Sequence, residues 1–133
     1  MARTISYSPS QIGMSAKAAT GVGTVINVRG ATQIEYNIGT ASSADMTIKW
    51  RAALAGASAD LTSAASATNR WFYVDFAAYN DAGSVTDGDT GLVYAGTDAN
   101  KGVRINVDNI ELIAMEVSAR SAGSVTADMS VTF

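Results

Sequence analysis

The sequence predicts an all-β fold, an antiparallel β-sandwich of jelly-roll type with about eight short strands. Apolar and polar residues alternate with period two over several stretches, turn residues separate these stretches, and the chain has only one proline. A chain of 133 residues fits one domain that buries roughly two-thirds of the surface of its unfolded state. We expect residues 1–20 to be an N-terminal arm or edge segment, and residues 21–133 to form the sandwich domain.

The first strands are expected before residue 53. Period-two alternation runs over residues 24–28 and again over 32–38, with Arg29-Gly30 between them, which predicts a hairpin. Residues 45–52 alternate most cleanly, so one face of that strand is predicted to pack in the core and the other to face water. Residues 53–69 are rich in small residues and have few apolar anchors, which predicts a loop.

The C-terminal half contains the longest alternating patterns. Shorter strands are expected over residues 71–77, 92–94 and 103–107. Residues 110–120 and 124–133 then alternate on both sides of Ser121-Ala122-Gly123, and the glycine can adopt the positive φ of a tight turn. This pattern predicts a C-terminal β-hairpin with one apolar face, which a second layer must cover.

Composition argues against several classes of function. The chain has no cysteine and no histidine, so it lacks disulfides, thiolate ligands, the commonest metal ligand and the usual general base near neutral pH. A net charge of −3 disfavours nucleic acid as a partner. No apolar run is long enough to span a bilayer, and the start lacks a secretory signal, so we expect synthesis in a cytoplasm and no membrane partner. We expect no enzyme activity and no cofactor.

One acidic loop and two single carboxylates are the candidates for polar chemistry. The loop Asp81–Asp89 resembles the start of a calcium loop at Asp87 and Asp89, but it lacks the later acidic ligand; a solvated turn is the preferred interpretation, and calcium binding is left open. Asp75 lies in the aromatic strand, and Glu116 lies on the predicted wet face of the long C-terminal strand. Each is expected to be partnered or exposed rather than catalytic.

Aromatic residues suggest two alternatives. Trp50, Trp71, Tyr73 and Tyr79 could form a sugar-stacking platform. The preferred interpretation is that Trp50 and Trp71 pack in the core between the two sheets. No residue is therefore predicted to be catalytic, cofactor-binding or metal-ligating.

The order of strands in residues 70–133 carries a family resemblance. The chain has an aromatic strand Trp71-Phe72-Tyr73-Val74, then a Gly-rich link to Gly102-Val103-Arg104-Ile105-Asn106-Val107, then Ile110 to Val117, and then Ala122-Gly123-Ser124-Val125-Thr126 before a last alternating strand. This order resembles small structural proteins of tailed-bacteriophage virions, in particular jelly-roll capsid decoration, or cement, proteins. It is similar more loosely to β-sandwich modules of tail and fibre proteins.

The resemblance implies a non-enzymatic protein on the capsid exterior. Such a protein binds the lattice of the major capsid protein and stabilises the shell, as a homo-oligomer with two or three copies. The alternative is a receptor- or carbohydrate-binding module of a phage tail appendage. A small glycoside hydrolase or lyase that uses Asp or Glu alone is a third, less favoured hypothesis.

Overall fold

The computed structural model describes residues 11–79 and 84–133. Every regular element in these residues is a β-strand, and every strand pair is antiparallel. The strands are β1 (Gln11–Lys17), β2 (Gly21–Asn27), β3 (Gln33–Leu54), β4 (Phe72–Tyr73), β5 (Ala77–Ala78), β6 (Leu92–Ala95), β7 (Asn100–Asn106) and β8 (Ile110–Thr132). Residues 1–10 of the predicted N-terminal arm lie outside the described residues.

The two long strands, β3 and β8, fold back on themselves. Tyr36 and Trp50 both belong to β3, and 14 residues of straight strand would separate them by about 46 Å. Their ring centroids are only 5.5 Å apart. The strand therefore bends between these two residues, and its two arms face each other across the core. β8 pairs with β3 along both arms, so it bends with it.

The bend converts a continuous sheet into two packed layers. The first layer has the order β1, β8, β3, β7, and it contains the first arm of β3 and the second arm of β8. The second layer contains β2, the first arm of β8, the second arm of β3, and β6. Leaving out the two-residue strands β4 and β5, the eight segments in chain order are β1, β2, the two arms of β3, β6, β7 and the two arms of β8. Numbered 1 to 8, they lie in the orders 1-8-3-6 and 2-7-4-5, which is jelly-roll topology. The predicted antiparallel jelly-roll sandwich is confirmed.

Left-handed backbone conformations and one carboxylate build the corner where the strands bend. Ser42 and Ser43 have φ of 63° and 55°, and Gly123 in the paired strand has φ of 83°. Asp98, in the link between β6 and β7, accepts hydrogen bonds from the backbone N–H of Ser43 and of Ala44, both at 3.0 Å. Pairing shifts by two residues between Ala41 and Asp45. These extra residues form a bulge, and a bulge bends a strand.

The predicted hairpins are wrong, although the predicted alternation is right. Residues 110–132 form one strand, and Ser121-Ala122-Gly123 bends it from one layer to the other without reversing it. Likewise β2 and β3 each pair with β8 and not with each other. A bent strand and a hairpin bury the same alternate side chains, so alternation cannot distinguish them.

Two further predictions of strand length also need correction. The strands are not all short, because β3 has 22 residues and β8 has 23. The predicted aromatic strand over residues 71–77 is interrupted: only Phe72–Tyr73 and Ala77–Ala78 are paired as strands, with β3 and β7 respectively. The segment between them crosses from the second layer to the edge of the first, which a single straight strand cannot do.

The core lies between the layers and is centred on Trp50. Its indole contacts Tyr36 on one side and Phe76 on the other, with centroid distances of 5.5 and 4.8 Å. The largest fully buried side chains are those of Trp50, Tyr36, Ile34, Ile38, Ile48, Leu61, Ile105, Ile113, Met115, Val28, Val103 and Val107. Most come from the alternating faces that the sequence predicts, so the prediction that Trp50 is a core residue is confirmed.

Gly123→Ala should destabilise the fold more than the same change at another left-handed glycine. A Cβ at position 123 would lie 2.5 Å from the Cα of Ala44, whereas a Cβ at Gly30, which has φ of 84°, would meet nothing within 4 Å. Both changes carry the left-handed backbone penalty of about 1–2 kcal/mol. The clash with backbone at the corner should bring the loss for Gly123→Ala to roughly 3 kcal/mol or more. Urea denaturation of both variants measures the difference, and equal losses would contradict a tightly packed corner.

Candidate functional site

A long loop covers the outer face of the second layer. The loop spans residues 55–71 and places Leu61, which is fully buried, against Ala53 of β3 and Ala114 of β8. Polar contacts order the loop internally: the Asn69 side chain donates to the carbonyl oxygens of Asp60 and Ala64, at 2.9 and 3.0 Å. The prediction of a loop here is confirmed. Its contacts form a small second core outside the sandwich.

An ion pair lies under this loop. Arg51 on β3 donates to the Glu116 carboxylate on β8 at 2.5 Å, and the Tyr73 hydroxyl donates to the other carboxylate oxygen at 2.7 Å. The second guanidinium nitrogen of Arg51 donates to the carbonyl oxygen of Leu61 at 2.7 Å. The ion pair therefore links β3 to β8, and its further hydrogen bonds link both strands to β4 and to the loop. The position of Glu116 on the wet face is a correction: the residue is only 7% exposed because the loop covers it.

The electrostatics of this cluster keep Glu116 ionised. Burial alone would raise the pKa of Glu116, but hydrogen bonds from Arg51 and Tyr73 and the positive charge of Arg51 outweigh burial and hold the pKa below its usual value. Burial first, and the Glu116 carboxylate second, raise the pKa of Tyr73 to about 12. The two terminal guanidinium nitrogens of Arg51 and the Tyr73 hydroxyl all donate to carboxylate or carbonyl oxygens, whereas Arg51 Nε is buried without a partner in the described residues. The geometry is that of a structural clasp, because donors of the protein itself engage both oxygens of the Glu116 carboxylate.

The remaining aromatic candidates differ in how closely other side chains cover their rings. Arg51 stacks on Trp71 with its Cζ 4.2 Å from the ring centroid, and the Trp71 N–H donates to the carbonyl oxygen of Ser63 at 2.8 Å. Lys49 lies over Tyr73 at 4.8 Å. Trp71 thus packs under the loop rather than between the two sheets, which corrects its predicted place in the core. Tyr79 differs, because its ring lies over Gly102 and the residue as a whole is 51% exposed.

The acidic loop has the contacts of a turn in the part that the structure describes. Asp87 accepts hydrogen bonds from the N–H of Asp89 through its side chain and from the N–H of Thr90 through its carbonyl, at 2.8 and 3.1 Å. Asp75 is exposed and accepts from the N–H of Gly88 at 2.8 Å. No group of three acidic side chains that could hold a metal ion occurs within residues 11–79 and 84–133. Asp81 lies outside those ranges.

An apolar surface borders β4. We define the Phe72 surface as Leu54, Trp71, Phe72 and Val85. Leu54, Phe72 and Val85 are 50%, 41% and 68% exposed. Phe72 lines two clefts, one of about 480 Å³ that includes Leu54 and Trp71, and one of about 590 Å³ that includes Val85. Arg70 is the single charged residue lining the smaller cleft. Such a surface on a small domain suits contact with another protein.

Comparison with known proteins adds a relationship of fold. The chain is similar to the crystal structure of the SPBc2 prophage-derived protein YomS, with a TM-score of 0.71 and 13% sequence identity. The match covers 100% of this chain and 98% of YomS. The two proteins share one fold. No protein-family model matches the chain, and no curated protein sequence matches it. Within the described ranges, no helix is long and apolar enough to cross a lipid bilayer.

Of the features that periodicity does not predict, only the contact at Gly102 has a signal in the sequence. Arg51 and Glu116 are 65 positions apart, so no local pattern links them. Gly102 is different: a glycine inside a strand signals a close approach of another group, and here that group is the ring of Tyr79. The exposure of Phe72 follows from the interruption of its strand, which alternation does not show.

Glu116→Gln should cost roughly 3 kcal/mol of unfolding free energy, because it leaves the Arg51 guanidinium without its counter-charge in a mostly buried site. Glu111→Gln is the matched control on the same strand. Its partner Arg29 is largely exposed and the pair is 3.5 Å apart, so a loss of about 0–1 kcal/mol is expected. Chemical denaturation at neutral pH measures both losses, and similar values for the two variants would argue against the clasp.

Glu116→Gln should also make the stability of the fold less sensitive to acid. The pKa of Glu116 is lower in the folded chain than the usual value of about 4.3, so its carboxylate stabilises the fold above that pH, and this stabilisation is lost as the pH falls through the folded pKa. Asp60 and Asp98 also have lowered pKa values, caused chiefly by hydrogen bonds from Thr62 and from the Ala44 N–H. Glu116→Gln should therefore reduce the dependence on pH without abolishing it.

Proposed function

We propose that this chain is a non-enzymatic structural protein of a tailed-bacteriophage virion, most specifically a capsid decoration protein. It would bind the lattice of the major capsid protein on the outside of the shell and stabilise the shell, as a homo-oligomer. The fold similarity to the prophage-derived YomS carries the proposal, because it extends over essentially the whole of both chains. The fold of this chain thus has a counterpart in a prophage-derived protein.

The chemistry of the chain supports a structural role. Among the carboxylates predicted from sequence, those of Asp75 and Asp87 accept backbone N–H groups, and that of Glu116 accepts hydrogen bonds from Arg51 and Tyr73 in the clasp. Charged residues make up only 16% of the chain, below the quarter that is usual for soluble domains. A protein present in many copies on a lattice can also rely on avidity, so one modest apolar contact in each copy is sufficient.

The Phe72 surface is the part of the chain that we assign to shell binding. It brings Leu54, Phe72 and Val85 together at one edge of the sandwich, with Arg70 beside the smaller cleft. A capsid surface that presents an apolar side chain next to a carboxylate would complement this cleft. Aromatic residues flanked by arginine are also the residue types that dominate binding energy at protein interfaces.

Phe72→Ser should weaken binding to capsids at least tenfold, because it removes the side chain that lines both clefts. Val25→Ser is the matched control: Val25 is 37% exposed, close to the 41% of Phe72, and it lies in β2 at the opposite edge of the second layer. Co-sedimentation of the purified chain with bare capsids of the encoding phage, at low and high salt, measures the affinity. Binding should saturate at a fixed ratio to the major capsid protein.

A second variant tests the same surface at an exposed position, in case Phe72→Ser impairs folding. Arg70→Glu reverses the charge beside the smaller cleft at an exposed loop position and should also weaken binding. Equal binding by all variants would overturn the assignment of the surface. Absence of saturable binding by the unchanged chain would overturn the decoration role and favour the alternative, a receptor-binding module of a tail appendage. Light scattering on the same sample gives the number of copies in the homo-oligomer.

A further inference from the structure

In the part of the chain that the structure describes, the outer face of the first layer is uncovered and polar, unlike that of the second layer. Its outward residues come from three neighbouring strands in register. Asn37 of β3 pairs with Gly102 of β7 on one side and with Asp128 of β8 on the other. Two residues earlier on β3, and on the same face, Glu35 pairs with Ser130 of β8. The face therefore presents carboxylate, amide and hydroxyl groups in adjacent rows.

Tyr79 forms a wall along this face. Its backbone N–H donates to the carbonyl oxygen of Gly102 at 2.9 Å, which fixes it to β7. Its ring lies across Gly102 so closely that a Cβ at that position would be 2.8 Å from the Tyr79 Cδ2. The Arg104 guanidinium lies 5.7 Å from the ring centroid. The absence of a side chain at position 102 thus lets an aromatic ring lie on the sheet beside the polar rows.

The ring and the polar rows enclose a shallow groove of about 320 Å³. Its lining residues are Glu35, Tyr36, Asn37, Tyr79, Gly102, Asp128, Met129 and Ser130. This volume is at the lower end of the range for ligand sites, about 300–1,000 Å³, and suits one small ring. Within the part of the chain that the structure describes, the side chains of Asn37, Asp128 and Ser130 form no hydrogen bond. Glu35 accepts one from Gln33 at 2.7 Å and also interacts with the Tyr79 hydroxyl.

We propose that this groove binds one pyranose ring of a neutral sugar. The exposed face of Tyr79 would stack on the C–H face of the sugar, and the free Asp128, Asn37 and Ser130 groups would pair with its hydroxyls. Hydroxyl groups donate well to carboxylates. The two carboxylates of Glu35 and Asp128 outnumber the single guanidinium of Arg104 beside Tyr79, so the net negative charge disfavours an acidic sugar. The inference is independent of where the protein sits in the virion, because the groove and the Phe72 surface are built from different residues.

The test is an amide NMR titration of the full ¹⁵N-labelled chain. The probes are methyl glycosides of glucose, galactose and N-acetylglucosamine, with glucuronic acid as the anionic comparison. We expect at least one neutral glycoside to give saturable shifts at Asn37, Gly102 and Asp128 with millimolar affinity, and glucuronic acid to give none. No saturable shift with any neutral probe, or a stronger response to glucuronic acid, would overturn the proposal.

Variants localise the response. Tyr79→Ala should weaken the affinity at least tenfold, while Tyr79→Phe, which keeps the stacking ring, should retain most of it. Asp128→Ala removes a side chain without a hydrogen bond in the described residues, so the fold should persist while the affinity falls. Phe72→Ala is the control, as an exposed aromatic residue away from the groove. Shifts that survive both Tyr79→Ala and Asp128→Ala would place the sugar elsewhere and contradict the assignment.

Discussion

The contact between Tyr36 and Trp50 is the constraint on which the rest of the fold depends. Two rings on one strand can meet only if that strand folds in two, and β8 must then bend at the same level because it pairs with β3 along both arms. The neighbouring strands obey the same requirement in another way. The chain breaks between β1 and β2 and between β6 and β7, and each pair then continues along its partner strand in the other layer. One bend therefore organises eight arms into a jelly roll.

The sequence predicts which side chains are buried, and it predicts them for a sound physical reason. Side chains alternate across a strand, so Ile34, Ile38 and Ile48 had to share the face of Trp50. The same alternation runs in phase through the glycine and serine positions of the corner. A hairpin and a bend between layers are therefore indistinguishable by periodicity. The distinction lies in long-range pairing and in the Asp98 contacts with the corner, which link positions more than 50 residues apart.

The burial of Glu116 illustrates a second limit of sequence reasoning. Its place on the strand correctly puts it on the outward face, and an outward face usually meets water. Here a loop rich in alanine and serine covers that face, because Leu61 supplies an apolar anchor and Arg51 supplies donors to the carbonyl oxygens of the loop. The loop lacks a periodic pattern since it is held by contacts with the sheet and by its own polar side chains. Only the three-dimensional arrangement reveals the clasp.

The loop also gives the two layers different outer surfaces, and this asymmetry bears on function. The second layer uses its outward residues for internal packing, so what it can offer a partner is its edge, where Phe72 remains exposed. Among residues 11–79 and 84–133, no such cover lies over Asn37, Asp128 and Ser130 in the first layer, which has a face of short polar groups beside Tyr79. An apolar edge suits a protein surface, whereas a polar face with one aromatic ring suits a small hydroxylated ligand. The residues that define the Phe72 surface do not line the groove, although the larger cleft at Phe72 extends to Gln33 and Arg104, which contact Glu35 and Tyr79 of the groove.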